Sequence, residues 1–254
     1  MQKLSVAIIT YNEEANIAAC IESIHKLADE IIVVDSYSTD HTVEIAKKLG
    51  ANVILNKFEG HIQQKNFAFS KCTYPFILSL DADERLDEQA INSIFVQKEN
   101  GFPYDGYIIR RSSFIGNKNI RYGSWYPDKK LRLVKKDLAT WGGINPHDKL
   151  ILQSTNIFTL IGNILHYSYK NVEELFEKSK KYAEISARHL FSLNRKISPL
   201  FIYVKAWARF IKHYFIKLGF LDGGFGWQIG KQQYYEALWK YKGLAALNKK
   251  VKAF

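Results

Sequence analysis

Four short apolar runs, separated by segments with helical periodicity, occupy the first 80 residues and constrain the fold more than any other feature. Each run has the length and composition of a buried strand. The runs cover residues 3–10, 30–35, 52–55 and 75–80. Strands that alternate with helices predict an α/β fold with a doubly wound, mostly parallel sheet.

Polar loops follow the first, second and fourth of these strands, at residues 10–14, 35–40 and 81–84. Because the carboxyl ends of parallel strands meet at one edge of a sheet, we expect the three loops to gather into a ligand site there. The first loop lacks both the G-x-G-x-x-G fingerprint and a Walker A sequence. A dinucleotide-binding Rossmann site and a P-loop NTPase are therefore not expected.

Asp81 and Asp83 lie one residue apart at the end of the fourth strand. Paired carboxylates suit a hard cation such as Mg²⁺ or Mn²⁺, which often keeps phosphate oxygens in its shell. A solvated acidic turn that opens the next helix is the alternative. Asp35 could accept hydrogen bonds from a base or ribose, and Lys65 could approach the same phosphate charge. Their joint placement indicates a nucleoside diphosphate ligand.

Residues 105–169 combine strand-like pieces with polar, aromatic sequence, and we expect an irregular layer that completes the site. A helix should follow, running to about residue 194, with Asn171 as its N-terminal cap and Glu174 as the reciprocal partner.

Several segments of the amino-terminal half together resemble glycosyltransferase family 2. They are Val6–Glu14, Ile31–Asp35 with Ser38–Asp40, and Leu80–Glu84. Ser36-Tyr37 stands where many members have Asp-Gly. The resemblance implies a GT-A fold, a nucleotide-sugar donor, with a UDP-sugar expected, and inversion at the anomeric carbon.

Downstream motifs are similar to the branch of this family that contains lipopolysaccharide-core glucosyltransferases. They are Trp125–Asp128, Leu131–Leu133, Trp141–Gly143, His147-Asp148 and Gly219–Gly223. The branch implies hexosyl transfer to a lipopolysaccharide-core or other lipid-linked glycan. It also implies a GT-A catalytic domain over 1–170, with a nucleotide-sugar half at 1–104 and an acceptor half at 105–170. A helical, basic region follows at 171–254.

The resemblance and the local chemistry together assign candidate roles. The candidate donor-binding residues are Thr10, Tyr11, Asn12, Glu13, Asp35, Lys65, Asp81 and Arg132. Asp81, Asp83 and His166 are candidate metal ligands, although a histidine that ends an apolar strand, as His166 does, is more often a core residue than a ligand. Arg132, together with Lys129 and Lys130, could instead bind an anionic acceptor or belong to a solvated basic strand. Asp148 is the expected catalytic base, with Asp128 and Glu84 as alternatives. If Asp148 has no catalytic role, it is expected to be a surface acid paired with Lys149.

The net charge of +11 is concentrated at the carboxyl end, where residues 195–254 hold 12 basic and two acidic residues. Such asymmetry suggests an anionic partner surface. Within 199–221, Lys205, Arg209 and Lys212 share one helical face. An apolar face opposes them, formed by Tyr203, Trp207, Phe210, Ile211, Tyr214 and Leu218. This pattern fits either an interfacial membrane helix or a helix packed on its own domain or in a dimer.

Two alternatives to a glycosyltransferase are a nucleotidyltransferase and a non-catalytic module that binds RNA or membrane. No RRM, KH or OB signature is evident, so nucleic acid is not an expected partner. The start of the chain passes directly into a strand and shows no signal peptide, and two cysteines suggest no disulfide framework. We expect a cytoplasmic enzyme, peripheral on the cytoplasmic face of the inner membrane, with its oligomeric state open between monomer and dimer.

Overall fold

The four apolar runs form the parallel part of one large sheet in the computed structural model, which describes residues 1–144 and 147–251. These strands are β1 (Leu4–Thr10), β2 (Glu30–Asp35), β3 (Asn52–Leu55) and β4 (Phe76–Asp81). The helices between and after them are α1 (Ile17–Ile24), α2 (Thr42–Lys48), α3 (His61–Lys71) and α4 (Glu88–Glu99). The predicted α/β alternation is confirmed.

The strand order β3-β2-β1-β4 puts β1 in the middle, parallel to both β2 and β4. The chain moves outward from β1 to β3 and then returns to the other side of β1. A crevice therefore opens between the carboxyl ends of β1 and β4, at the point where ligands bind in open α/β sheets.

Side chains of β1 alternate between two buried clusters, one on each face of the sheet. Val6 and Ile8 pack with the apolar side of α1, whereas Ala7 packs on the opposite face with Phe69 of α3. Burial on both faces explains why these strands read as continuous apolar runs.

The region 105–169 is not the irregular layer that we expected, because it continues the sheet with antiparallel strands. These are β6 (Gly106–Ile115), β8 (Asp128–Lys135) and β11 (Ile157–Tyr169). Together with β5 (Glu84–Leu86), from the preceding segment, they extend the sheet in the order β4-β8-β6-β11-β5. The short β7 (Lys118–Asn119) pairs with β6, while β9 (Ala139–Ile144) and β10 (His147–Leu152) form a separate ribbon. Partial exposure of these strands accommodates polar residues, so their sequence looks irregular.

The described chain divides into two compact units. The first comprises residues 1–112 and 128–167 and holds the parallel strands. The second comprises 113–127 and 168–254 and is mostly helical. Strands β6 and β11 each continue from the first unit into the second.

The second unit contains α5 (Val172–Ser192), α6 (Pro199–Ile211) and α7 (Gly224–Val251). The predicted cap of α5 is confirmed, since Asn171 accepts a hydrogen bond from the Glu174 amide at 2.9 Å. The single helix expected over 199–221 is interrupted: α6 passes into a π-helical turn at Lys212–Ile216, and a 3₁₀ turn follows at Gly219–Asp222. Within the described residues, no helix combines the length and the apolar character that crossing a bilayer requires.

Candidate active site

The three polar loops meet at the carboxyl edge of the parallel strands, as predicted. Thr10 pairs in register with Asp35, and Ile9 pairs with Asp81. The Asn12 amide donates to Ser38 Oγ at 2.8 Å, and the Thr39 amide donates to Asn12 Oδ1 at 2.8 Å. These bonds tie the first loop to the second, next to the crevice between β1 and β4.

Asp35 is fully buried and organises the second loop. Its Oδ1 accepts from the Ser38 amide at 2.8 Å, and its Oδ2 accepts from Ser38 Oγ at 2.5 Å. Tyr37, between them, has a φ of 63° and an exposed ring. A left-handed backbone costs a residue such as tyrosine about 1–2 kcal/mol relative to glycine. Tyr37 stands where the Asp-Gly pattern of the resembled family has its glycine, so the replacement carries this energetic cost.

Lys65, on α3, is the centre of the site. It is 4% exposed, and its Nζ lies 3.0 Å from Asp81 Oδ1 and 2.8 Å from Asp148 Oδ2. A buried ammonium requires such partners to offset its loss of hydration. Lys65 therefore lies on the buried face of α3, and it joins two carboxylates that lie 67 positions apart in the chain.

Trp141, on β9, forms one wall of this cluster. Its ring lies 4.3 Å from Lys65 Nζ and 5.6 Å from the guanidinium carbon of Arg132, within the range of cation–π attraction. The Asn66 side chain fixes the position of Trp141, since it donates to the Trp141 carbonyl and accepts from the Trp141 amide, both at 2.9 Å.

Arg132, on β8, lies on the other side of Asp81. Its Nη2 is 2.7 Å from Glu84 Oε1 and 3.4 Å from Asp81 Oδ2. Burial opposes ionisation of Asp81, but Lys65 and Arg132 outweigh it and hold the pKa of that carboxyl well below its usual range. The pKa of Arg132 is raised in turn, because Glu84 and Asp81 outweigh the opposing effect of burial.

Several donors in this cluster lack a protein partner within the described residues. Nε and Nη1 of Arg132 and Nε1 of Trp141 are buried and make no hydrogen bond there. A buried donor without a partner costs about 1–3 kcal/mol. A guanidinium with two unpaired nitrogens presents the geometry that binds phosphate in a bidentate manner.

Asp83 and His166 face each other at the end of the crevice, with His166 Nε2 3.3 Å from Asp83 Oδ2. A carboxylate oxygen and an imidazole nitrogen can both ligate Mn²⁺, and the remaining positions can be filled by phosphate oxygens and water. These residues thus fit part of a metal site. No group of three potential protein ligands occurs among the described residues. The carboxylate of Asp81, the third predicted ligand, contacts Lys65 and Arg132 instead.

The two alternative bases are differently placed. Glu84 is fully buried, with Oε1 on Arg132 and Oε2 accepting from the Asp81 amide at 3.1 Å. Asp128 Oδ2 lies 2.8 Å from Nη2 of Arg111, and its Oδ1 lies 3.1 Å from Lys130 Nζ. Asp148 contacts Lys65 rather than Lys149, so its interpretation as a surface acid paired with Lys149 is wrong.

The predicted residues thus fall into groups. Lys65, Asp81, Arg132 and Asp148 form one ion-pair cluster. Thr10, Asn12 and Asp35 lie at the same strand edge, and Tyr11 is exposed beside them. Glu13 holds the start of α1, where its Oε2 accepts from Asn16 at 2.7 Å. Sequence reasoning did not assign a role to Trp141 or Arg111, whose partners come from distant segments.

Comparison with known proteins agrees with this architecture. The model of the family described as glycosyl transferase family 2 matches residues 5–174. An uncharacterized glycosyltransferase of Rickettsia typhi is 35% identical over 234 residues, which cover 88% of this chain and 80% of its own. The lipopolysaccharide core biosynthesis glycosyltransferase LpsC of Rhizobium meliloti is 27% identical over 246 residues, covering 92% and 86%.

A crystal structure of glucosyl-3-phosphoglycerate synthase from Mycobacterium tuberculosis, in complex with Mn²⁺, UDP and phosphoglyceric acid, has the same fold. Its TM-score is 0.50 at 18% sequence identity, over 74% of this chain and 78% of that one. The GT-A fold expected from the sequence is confirmed. The family model covers most of the chain, and the relatives match almost all of it, so the chain belongs to glycosyl transferase family 2.

Proposed function

We propose that this protein is a metal-dependent, inverting hexosyltransferase that moves a sugar from a UDP-sugar to a lipopolysaccharide-core or other lipid-linked glycan. The observation that carries the proposal is the buried Arg132, with two unpaired nitrogens beside Lys65 at the carboxyl edge of the parallel strands. The choice of UDP and of a divalent cation follows the complex described for the M. tuberculosis enzyme, and the acceptor class follows the name of LpsC.

Arg132 binds the donor diphosphate through its unpaired nitrogens, while Glu84 and Asp81 keep the guanidinium in place. Asp35, at the next strand end, accepts hydrogen bonds from the nucleoside. Both of its oxygens already accept from Ser38, which leaves one lone pair on each for the ligand.

Asp148 takes the proton of the acceptor hydroxyl, and the resulting oxygen attacks the anomeric carbon. The bond from that carbon to the diphosphate breaks on the opposite face, so the configuration inverts and UDP leaves with the bonding electrons. Lys65 holds Asp148 Oδ2 at 2.8 Å and thereby positions the carboxylate beside the donor site.

Asp83 and His166 would hold the divalent metal, together with oxygens of the donor. A bound Mg²⁺ or Mn²⁺ supplies Lewis-acid stabilisation of the charge that develops on the leaving diphosphate. The proposed place of action is the cytoplasmic face of the inner membrane, which fits a lipid-linked acceptor.

The test is hydrolysis of nucleotide sugars by the purified protein without acceptor, with Mg²⁺ or Mn²⁺ and with EDTA. We expect a UDP-sugar to be hydrolysed and Asp83→Asn to slow the reaction by roughly 10²-fold or more, since Lewis-acid stabilisation contributes several kcal/mol. The exposed Asp137→Asn, on a short 3₁₀ turn, is the matched control and should keep full activity.

Full activity in EDTA would remove the metal from the proposal. Failure to bind or hydrolyse any nucleotide sugar would overturn the donor assignment. Once an acceptor is in hand, NMR of the product should show the anomeric configuration opposite to that of the donor; retention would exclude the inverting mechanism.

A further inference from the structure

Helix α6 has three faces rather than the two expected from its sequence. Its buried face consists of Ile202, Ala206 and Phe210, which are spaced four residues apart. Through this face the helix packs within the second unit. A second set of large apolar side chains points to solvent at a spacing of three to four residues. We call this set the apolar stripe: Leu200, Val204, Trp207 and Ile211, continued by Phe215 and Ile216 in the π-helical turn.

The apolar stripe is strongly exposed, with Leu200 at 72% and Ile216 at 70%. Ring contacts join it to neighbouring aromatic residues, since Trp207 lies 5.1 Å from Tyr234 and Phe215 lies 5.1 Å from Tyr214. Single exposed apolar residues are normal, but a continuous exposed apolar surface marks an interaction site.

The third face of α6 is basic and lies beside the apolar stripe. Arg209 pairs with Glu236 at 3.2 Å, so its charge is partly compensated, whereas Lys205 and Lys212 are exposed. The surroundings are also basic, because residues 195–254 carry a net charge of +10. An exposed apolar face bordered by lysines matches the surface of an anionic bilayer, which offers an apolar interior beneath negative headgroups.

We propose that the apolar stripe and the two lysines, Lys205 and Lys212, dock this protein on the headgroup region of an anionic membrane. The stripe enters the boundary between headgroups and acyl chains, and the lysines contact anionic headgroups. The helix lies in the plane of the interface and does not cross the bilayer. The proposal rests on the proposed function in one respect, since a lipid-linked acceptor is the reason for the enzyme to bind a membrane. Its test needs neither donor nor acceptor.

A protein partner and a nucleic acid fit this surface less well. The cores of protein interfaces are depleted of lysine. Single-stranded nucleic acid is bound by aromatic rings in a charged groove, whereas four of the six side chains in the apolar stripe are aliphatic and they lie along one helix. Ile202, Ala206 and Phe210 bury a different face of α6, and about half or more of the surface of Leu200, Val204 and Trp207 stays exposed within the described residues.

The test is cosedimentation of the full chain with phosphatidylglycerol vesicles and with phosphatidylcholine vesicles. We expect binding to the anionic vesicles, weaker binding as salt is raised, and little binding to the neutral ones. Lys205→Glu with Lys212→Glu should reduce binding by roughly 10-fold or more. Lys180→Glu with Lys181→Glu, exposed on α5 with the same change of charge, should have a much smaller effect.

A second variant tests the apolar stripe. Leu200→Ser with Val204→Ser should also weaken binding, whereas Ile185→Ser, exposed on α5, should not. Equal loss for the stripe variant and its control, or equal binding to both vesicle types, would overturn the proposal. The surface would instead be assigned to a second copy of the chain if two results came together. The protein would bind no vesicles, and light scattering would show a dimer that the stripe variant dissociates. Donor hydrolysis, measured in parallel, reports on the proposed function separately.

Discussion

At the scale of single residues, Lys65 links the two halves of the proposed chemistry. Its ammonium contacts Asp81, beside the donor site, and Asp148, the proposed base, at 3.0 and 2.8 Å. Removal of either carboxylate leaves a buried cation with one partner instead of two, which is costly. A change at Asp148 must therefore preserve a hydrogen-bond acceptor if its catalytic role is to be separated from its structural one.

Asp148→Asn meets this requirement, because the amide oxygen can still accept from Lys65 while the residue can no longer take a proton. We expect turnover to fall by roughly 10²- to 10⁴-fold, the usual contribution of a general base, with little change in the dissociation constant of the donor. Steady-state kinetics of transfer and calorimetric titration with the donor measure the two quantities.

Asp128→Asn is the matched comparison, since Asp128 is also ion-paired, to Arg111 and Lys130. A loss of turnover in Asp128→Asn together with near-normal turnover in Asp148→Asn would transfer the role of base to Asp128. Weakened donor binding with unchanged turnover in Asp148→Asn would make Asp148 a binding residue.

Residues whose chemistry is local to a strand end could be predicted from the sequence, and those defined by distant contacts could not. Asp81 and Asp83 directly follow an apolar run, so their position at the sheet edge follows from the fold class. Trp141 meets Lys65 across 76 positions through the separate β9–β10 ribbon, and nothing local to Trp141 indicates that contact.

At the scale of elements, the turn after α6 is built around His213. The imidazole is fully buried, and its Nδ1 accepts from the Ser124 amide at 3.0 Å. Gly123 and Gly219 lie so close that a Cβ on either would come within 3 Å of the ring. Asp222 accepts from the Tyr122 amide at 2.9 Å in the same region, which gives a structural reason for the glycine- and aspartate-containing motif at 219–223.

Burial lowers the pKa of His213 from its ordinary 6.5, against the opposing effects of the Gly226 backbone and the Asp222 carboxylate. As the pH falls below 6.5, His213 therefore binds a proton more readily in the unfolded chain than in the folded one. The contribution to stability is complete above pH 6.5 and is lost as pH falls through the folded pKa. We expect the melting temperature to fall between about pH 7.5 and about pH 5.

His213→Asn should flatten this dependence, because the amide oxygen can accept from Ser124 but does not titrate in that range. His25→Asn, exposed on the first unit, should leave the slope as it is. Thermal melting of the three proteins across the pH range is the measurement. An unchanged slope in His213→Asn would assign the pH dependence to other groups.

The faces of α6 show where pattern reading fails at this scale. One apolar face of the helix is buried and consists of Ile202, Ala206 and Phe210. The other is exposed and includes Leu200, Val204 and Ile211. The basic face lies between them on one side of the helix, and on the other side the two apolar faces adjoin. A hydrophobic pattern averages the two apolar faces into one. The sequence therefore predicted an amphipathic helix but not which of its apolar residues are buried.

At the scale of the whole molecule, the proposed catalytic residues and the excess positive charge lie in different units. The ion-pair cluster and the Asp83–His166 pair lie within the first unit, while the basic residues of 195–254 lie within the second. The alternation of strands and helices made the parallel part of the first unit predictable, but not its antiparallel strands over 128–167. The apolar and basic pattern made the carboxyl-terminal region predictable as helical. The assignment of residues 113–127 to the second unit follows from long-range packing around Ile115 and Ile120, which the sequence does not indicate.

This division predicts that catalysis and membrane docking can be separated in one chain. Lys205→Glu with Lys212→Glu should leave hydrolysis of a UDP-sugar in solution near the wild-type rate, because no residue of the donor site is changed. The same variant should lose most of its transfer to a lipid-linked acceptor embedded in anionic vesicles, since docking concentrates the enzyme at the surface that carries the acceptor. Transfer to that acceptor in neutral detergent micelles should return to the wild-type rate. A variant that is equally slow in micelles and vesicles would show that these lysines act in acceptor binding or folding instead, and slowed hydrolysis of the donor would show that the two units are coupled in catalysis.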